Sequence, residues 1–112
     1  MNLQELLQRL HAEVPDCVAV LAMNGGGSVI DARGEDAGAS VPAAMHEVFD
    51  RSGAMSGDEL VPREIVVLSN KRTYVCHRLD DTIVTTVCST TSNLGLLLGI
   101  ARREIAAMET TA

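Results

Sequence analysis

The residue types that could carry chemistry are few and poorly gathered. Cys76 and His77 are adjacent, and a thiol beside an imidazole is the raw material of a nucleophile–base pair or of half a metal site. Both lie in a β-branched, strand-like run, where neighbouring side chains leave opposite faces, so the two do not converge on one atom. Cys17 and Cys88 are distant in sequence, and three cysteines without a short paired spacing read as small buried thiols rather than as a metal framework. No metal and no cofactor are expected. Asp80-Asp81 is a carboxylate pair, but its surroundings are those of a turn, not of an enclosing cleft. Arg102-Arg103 could be offered to a nucleotide held by a partner; on an exposed helix the pair reads first as a solvated face. His11 and His46 also fall on helix faces turned away from the apolar stripe. Asn24-Gly25-Gly26-Gly27-Ser28 has the glycine content of a phosphate cradle, yet a P-loop needs Gly-Lys-Ser/Thr opening a helix. Here Ser28 leads into Val29-Ile30, so the segment reads as a hairpin turn. The residues carry no enzyme motif.

The elements around these residues follow from hydrophobic period. Leu3, Leu6, Leu7, Leu10 and Val14 form a helical stripe opened by the cap-like pair Asn2 and Glu5 and closed by Pro15. Cys17 to Met23 is an uninterrupted apolar run, too short for a helix between its breakers, and reads as a strand covered on both faces. Val29 to Arg33 returns as a second strand. Gly34 to Ala39 reads as a polar linker. Ser40 can cap a second helix, Ser40 to Arg51, with Pro42 in its first turn. Val41, Ala44, Met45, Val48 and Phe49 share its apolar stripe, and His46, Glu47, Asp50 and Arg51 point elsewhere.

Three strands, Arg63 to Ser69, Thr73 to Leu79 and Thr82 to Thr90, are separated by short polar joints and should form an antiparallel meander. Two-residue turns predict paired residue numbers summing to 141 in the first hairpin and 161 in the second. That register places Ile65, Val67, Tyr74, Cys76, Ile83, Thr85 and Val87 on one face and Val66, Leu68, Val75, His77, Leu79, Val84, Thr86 and Cys88 on the other. A sheet apolar on both faces must be covered on both. The last helix, from Leu94, carries Leu97, Leu98, Ala101, Ile105 and Met108 on one stripe, with Ser92 or Asn93 as its cap. Gly95 and Gly99 each cost a helix about 1 kcal/mol relative to alanine, which suggests close approach of the helix backbone to strand or partner. Leu96, Ile100 and Ala107 make a lateral strip that the first helix can cover. The second helix is then alone on its face, where uncovered apolar surface points to self-association.

The formal charge of −6 opposes phosphate backbones and anionic lipid, and one Tyr, one Phe and no Trp offer no platform for stacking bases. Neither nucleic acid nor membrane is expected as a partner. The charged N-terminus does not read as a secretory signal, and no stretch reaches the ~20 apolar residues of a membrane span. A cytoplasmic, single-domain α+β protein is expected over residues 1–112.

The element order, together with Ser92-Asn93-Leu94-Gly95-Leu96 at the last strand-to-helix junction, resembles the Roadblock / dynein light-chain superfamily. Pro15 before Val18-Ala19-Val20-Leu21, the turn at Gly25 to Gly27 and Val66-Val67-Leu68 add to the resemblance. It implies a five-stranded antiparallel sheet with one helix on one face and two on the other, a profilin-like sandwich. It also implies a homodimer joined through the third strand and the second helix, with Arg63, Ile65, Val67, Met45, Val48 and Phe49 at the interface. Bacterial members are similar to regulators of small Ras-like GTPases, which suggests a non-enzymatic scaffold with His46, Glu47 and Asp50 toward the partner and Asn93 and Gly95 as structural turn residues. A ligand-sensing profilin- or PAS-like module and a purely structural subunit are the alternatives.

Overall fold

The computed structural model describes residues 1–34, 44–49, 51, 62–89 and 93–111, with side chains as far as 109. Its elements are α1 (Leu3–Glu13), β1 (Cys17–Met23), β2 (Val29–Gly34), helical residues 44–49 (α2), β3 (Glu64–Leu68), β4 (Arg72–Leu79), β5 (Thr82–Ser89) and α3 (Leu94–Thr111). The strands make one antiparallel sheet in the order β2-β1-β5-β4-β3. β5 is therefore central, and β2 and β3 are the edges.

Register follows the short turns. Ile65 pairs with Cys76 and Val67 with Tyr74, and β4 meets β5 with Cys76 opposite Thr85 and Leu79 opposite Thr82. These are the expected pairings, and they divide the core in two. Leu6, Leu7 and Leu10 of α1 and Leu97, Ala101 and Ile105 of α3 pack with Val20, Ala22, Val75, Val84 and Cys88 on one face. On the other, Met45 and Phe49 of α2 pack with Met23, Cys76 and Ile83, and with half-buried Ile65, Val67 and Tyr74. Two helices thus lie on one face and one on the other.

Local chemistry sets the element ends. The Asn2 side chain accepts from the Glu5 amide at 2.9 Å, capping α1. Asn93 does the same for α3, accepting from the Leu96 amide at 3.1 Å; Ser40, Pro42 and Ser92 lie outside the described residues. The glycine segment is a hairpin turn in which Asn24 Oδ1 accepts from the Gly26 and Ser28 amides, and a bulge sits between Ala22 and Met23.

Three expectations need correction. Gly34 is not linker but the last residue of β2, opposite Ala19, with φ +88°. Leu96 is not covered by α1 and stands half exposed. The glycines of α3 are not explained by close approach to a strand: among the described residues of the chain, a Cβ at Gly99 would have nothing within 4 Å, and one at Gly95 would meet only Asn93 Oδ1, at 3.5 Å. Gly99→Ala is accordingly expected to stabilise the fold by about 1 kcal/mol, the helix-propensity difference, in a urea titration. Destabilisation would restore the close-approach reading.

Candidate functional site

β3 is one of the two edges of the sheet. Its inner side is bonded to β4, the Arg78 amide donating to the Arg63 carbonyl at 2.9 Å and the Ser69 amide to the Arg72 carbonyl at 3.0 Å. Bonded residues alternate along an antiparallel ladder. Odd-numbered β3 residues therefore bond inward to β4, and the amides and carbonyls of Glu64, Val66 and Leu68 point out along the edge. Leu68 is two-thirds exposed, and Ile65 and Val67 are half-buried. Among the described residues no strand covers this edge.

The expected interface residues divide into two groups. Ile65, Val67 and Val48 are half-buried, and Arg63 is exposed with its guanidinium 2.9 Å from Glu109. Met45 and Phe49 instead belong to the core of their own chain, at 6% and 4% exposure, with Cys76 Sγ 3.3 Å from Met45 Sδ. They support α2 from beneath, on the side that packs against the chain's own sheet. The outward face of α2 is also more engaged than its sequence suggests. A Cβ on Gly27 would stand 3.3 Å from the His46 ring, so this half-buried imidazole packs over the β1–β2 turn rather than into solvent. Glu47 is exposed and accepts from Arg51 at 2.7 Å, an i,i+4 pair. Asp50 lies outside the described residues. Asn93 caps α3 through its side chain; among the described residues Gly95 has no packing constraint to match.

A polar cluster beside β3 escaped the sequence reading. Glu64 Oε2 lies 2.9 Å from Nε2 of buried His77 and 2.9 Å from Arg102 Nε, and Glu64 Oε1 accepts from the other arm of Arg102. Arg102 is therefore no free solvated residue but a clamp from α3 to the sheet edge, and Arg103 similarly joins Glu13 of α1 at 2.7 Å. The signal was available: pairing numbers that sum to 141 put Glu64 directly opposite His77. A cleft of about 270 Å³ lies over this cluster, lined also by Arg63, Ile105 and Glu109. Among the described residues no group of three His, Cys, Asp or Glu gathers as a metal site, and no helix is long and apolar enough to cross a membrane.

The cluster makes stability pH-dependent. Hydrogen bonding by Arg102 holds the Glu64 carboxyl below its ordinary range against its partial desolvation, with His77 assisting. Burial depresses the His77 pKa, outweighing the opposing pull of Glu64. In the unfolded chain His77 takes up its proton near pH ~6.5 and Glu64 near ~4.3. Both groups protonate less readily when folded, so both contributions are present at neutral pH. That of His77 declines first, below about pH 6.5, and that of Glu64 follows at lower pH. Urea midpoints should fall continuously from pH 7 to 4, with the first part of the fall shallower in His77→Gln. A midpoint independent of pH between 7 and 5 would contradict this assignment.

The same backbone fold recurs among solved proteins. A Roadblock/LC7 domain from Streptomyces avermitilis superposes with a TM-score of 0.80 at 15% identity, over 99% of this chain and 98% of that one. The chain has the Roadblock/LC7 fold. An MglB described in a tetrameric arrangement gives a TM-score of 0.81 at 14% identity over 93% of this chain and 82% of its own. Myxococcus xanthus MglB gives 0.76 at 12% identity with both chains covered completely. No family model matches the chain and no curated protein matches it by sequence. At these identities the Roadblock likeness is one of backbone architecture, and the side chains described above are this chain's own.

Proposed function

We propose that this Roadblock-fold chain is a homodimeric, non-enzymatic regulator that binds a small Ras-like GTPase. The observation that carries the reading is the open β3 edge, where outward backbone groups at Glu64, Val66 and Leu68 stand beside half-buried Ile65, Val67 and Val48. An edge of this kind is a template for strand addition. A second copy pairing along it extends the sheet and lays the two α2 helices on the same side, which covers half-buried Ile65, Val67 and Val48. The tetrameric arrangement described for an MglB of this fold supports self-association. The GTPase partner is supported by the resemblance of the sequence to bacterial GTPase regulators. In this reading regulation works by positioning the GTPase's own groups.

Two measurements test it together. Light scattering at micromolar concentration should give twice the 11.9 kDa chain mass. Capture of small GTPases from the source cell should differ between GDP and a GTP analogue. A monomer removes the dimer, and capture indifferent to nucleotide leaves a structural subunit.

A further inference from the structure

β1 and β5 bring Cys17 and Cys88 together as directly opposed residues of an antiparallel pair. The Ser89 amide donates to the Asp16 carbonyl at 3.1 Å, a bond between the residues just outside the pair. This is the pattern of a non-hydrogen-bonded site, where opposed Cα atoms approach to about 4.5 Å and the side chains lie closest. A disulfide spans Cα separations of about 4.4–6.8 Å, so directly opposed residues at such a site have the backbone spacing that a disulfide needs. Their side chains are hydrogen-bonded to each other, and Cys17 Sγ also reaches the Ala19 carbonyl at 3.4 Å. Cys88 is fully buried and Cys17 is half-buried. All three cysteines of the chain are thiols.

We propose that Cys17 and Cys88 form a dithiol site for two-electron oxidation by small hydroperoxides, with Cys17 as the attacking thiol and Cys88 as the resolving one. Access selects the oxidant: a half-open Cys17 in front of a sealed Cys88 admits a peroxide but not the disulfide of a folded protein. The Cys17 thiolate attacks the peroxide, forming an S–O bond and breaking the O–O bond; the departing oxygen takes up a proton and leaves as water or an alcohol. The Cys88 sulfur then attacks the Cys17 sulfur, the S–O bond breaks, and the hydroxyl leaves as water with the Cys88 proton. Two thiols and one hydroperoxide become a disulfide, an alcohol or water, and a water.

Electrostatics separates the reactive thiol from the remaining one. The hydrogen bond with Cys88 lowers the Cys17 pKa below the usual thiol value and outweighs the effect of burial. Burial pushes Cys76 up to about 11, the Thr85 hydroxyl opposing only in part. Cys76 also faces the opposite side of the sheet, against Met45. Thiolate character and exposure therefore both favour Cys17.

The test is to treat the reduced full chain with a few equivalents of hydrogen peroxide, alkylate it under denaturing conditions and map the products by mass. The expected product has lost two hydrogens, contains a Cys17–Cys88 linked peptide, retains one alkylatable thiol at Cys76, and reverts with dithiothreitol. Cys76→Ala should react as the natural chain does, and Cys88→Ala should accumulate oxygen on Cys17 instead of forming the link. Three alkylatable thiols, oxygen added to Cys17 while Cys88 remains alkylatable in the natural chain, or covalent dimers through Cys17 each overturn the proposal. The mapping on the natural chain decides even where a variant folds poorly.

Discussion

Replacing Gly34 with alanine should lower folding stability by about 2–4 kcal/mol, the sum of a left-handed backbone penalty and of overpacking against fixed atoms. The φ of Gly34 is +88°, and a Cβ there would overlap the Val18 carbonyl oxygen and come within 2.8 Å of His11 Nε2. The obstruction by Val18 is backbone, and it cannot swing away as a long side chain could. Val18 lies where the register of β1 against β5 shifts, between Cys17 and Ala19, and Ala19 pairs with Gly34 on the other edge of β1. Alanine also reduces the entropy of the unfolded chain, but that offsets only about 0.4–1 kcal/mol. Equilibrium urea unfolding of the two proteins measures the difference. A loss smaller than 1 kcal/mol would mean that β2 ends before Gly34 in solution. The contrast with Gly99→Ala, expected to stabilise, sharpens the test, since the same substitution acts with opposite sign according to backbone conformation and neighbouring atoms.

Gly34 also marks where the sequence stops being legible. The register of the β3–β4–β5 meander could be read to the residue because two short turns leave little freedom of register and apolar residues occupy both faces. Glu64 opposite His77 followed from the same arithmetic, although its value as an ion-pair anchor for Arg102 needed the placement of α3. The helix stripes were equally plain, and Asn2 and Asn93 declared themselves as caps. Contacts between distant segments were not legible. Nothing local in the polar run from Gly34 reveals that its first residue closes a strand against Ala19. Cys17 opposite Cys88 depends on a bulge in β1, which shifts register by one residue and which periodicity does not show. Glu104 is a further case. On a helical wheel it is a charged residue flanking the apolar stripe, yet it is 4% exposed. It reaches Arg9 of α1 and Arg103, both at 3.3 Å. Burial raises its pKa, but hydrogen bonds involving Glu13, Arg9 and Arg103 outweigh this and lower it. The α1–α3 seam is therefore partly ionic where the leucine pattern suggested only apolar contact. The functional surface suffered from the same ambiguity, since one apolar stripe on α2 could not reveal which residues face the chain's own sheet. The structure gives Met45 and Phe49 to the core and leaves Ile65, Val67 and Val48 at the margin.

Val66→Pro should convert the proposed homodimer to a monomer while leaving the Roadblock fold intact, which tests the proposed pairing along β3. Alternation along β3 places the Val66 amide on the outward side, away from β4, so among the described residues proline removes no bond of the β3–β4 ladder. Proline is compatible with an edge strand at such a position, and it disfavours only helical geometry in Ile65, which is already extended. For a second copy the effect is the reverse. The substitution deletes an outward donor near the middle of the short strand and puts a ring where the incoming backbone must lie, blocking register on both sides of a symmetric interface. Light scattering should fall from twice the chain mass to the chain mass, with the far-ultraviolet circular dichroism retained and the melting temperature lowered both by dissociation and by the lost packing of the Val66 side chain against the α1–α3 core. Val67→Pro is the matched control: residue 67 bonds inward to β4, so proline there should damage the fold itself. A folded Val66→Pro protein that remains dimeric would move self-association away from the β3 edge and onto the helices. Nucleotide-dependent capture, repeated on the monomeric variant, then separates two roles for the edge. Capture that survives places the GTPase contact within one chain, and capture lost together with the dimer places it across two.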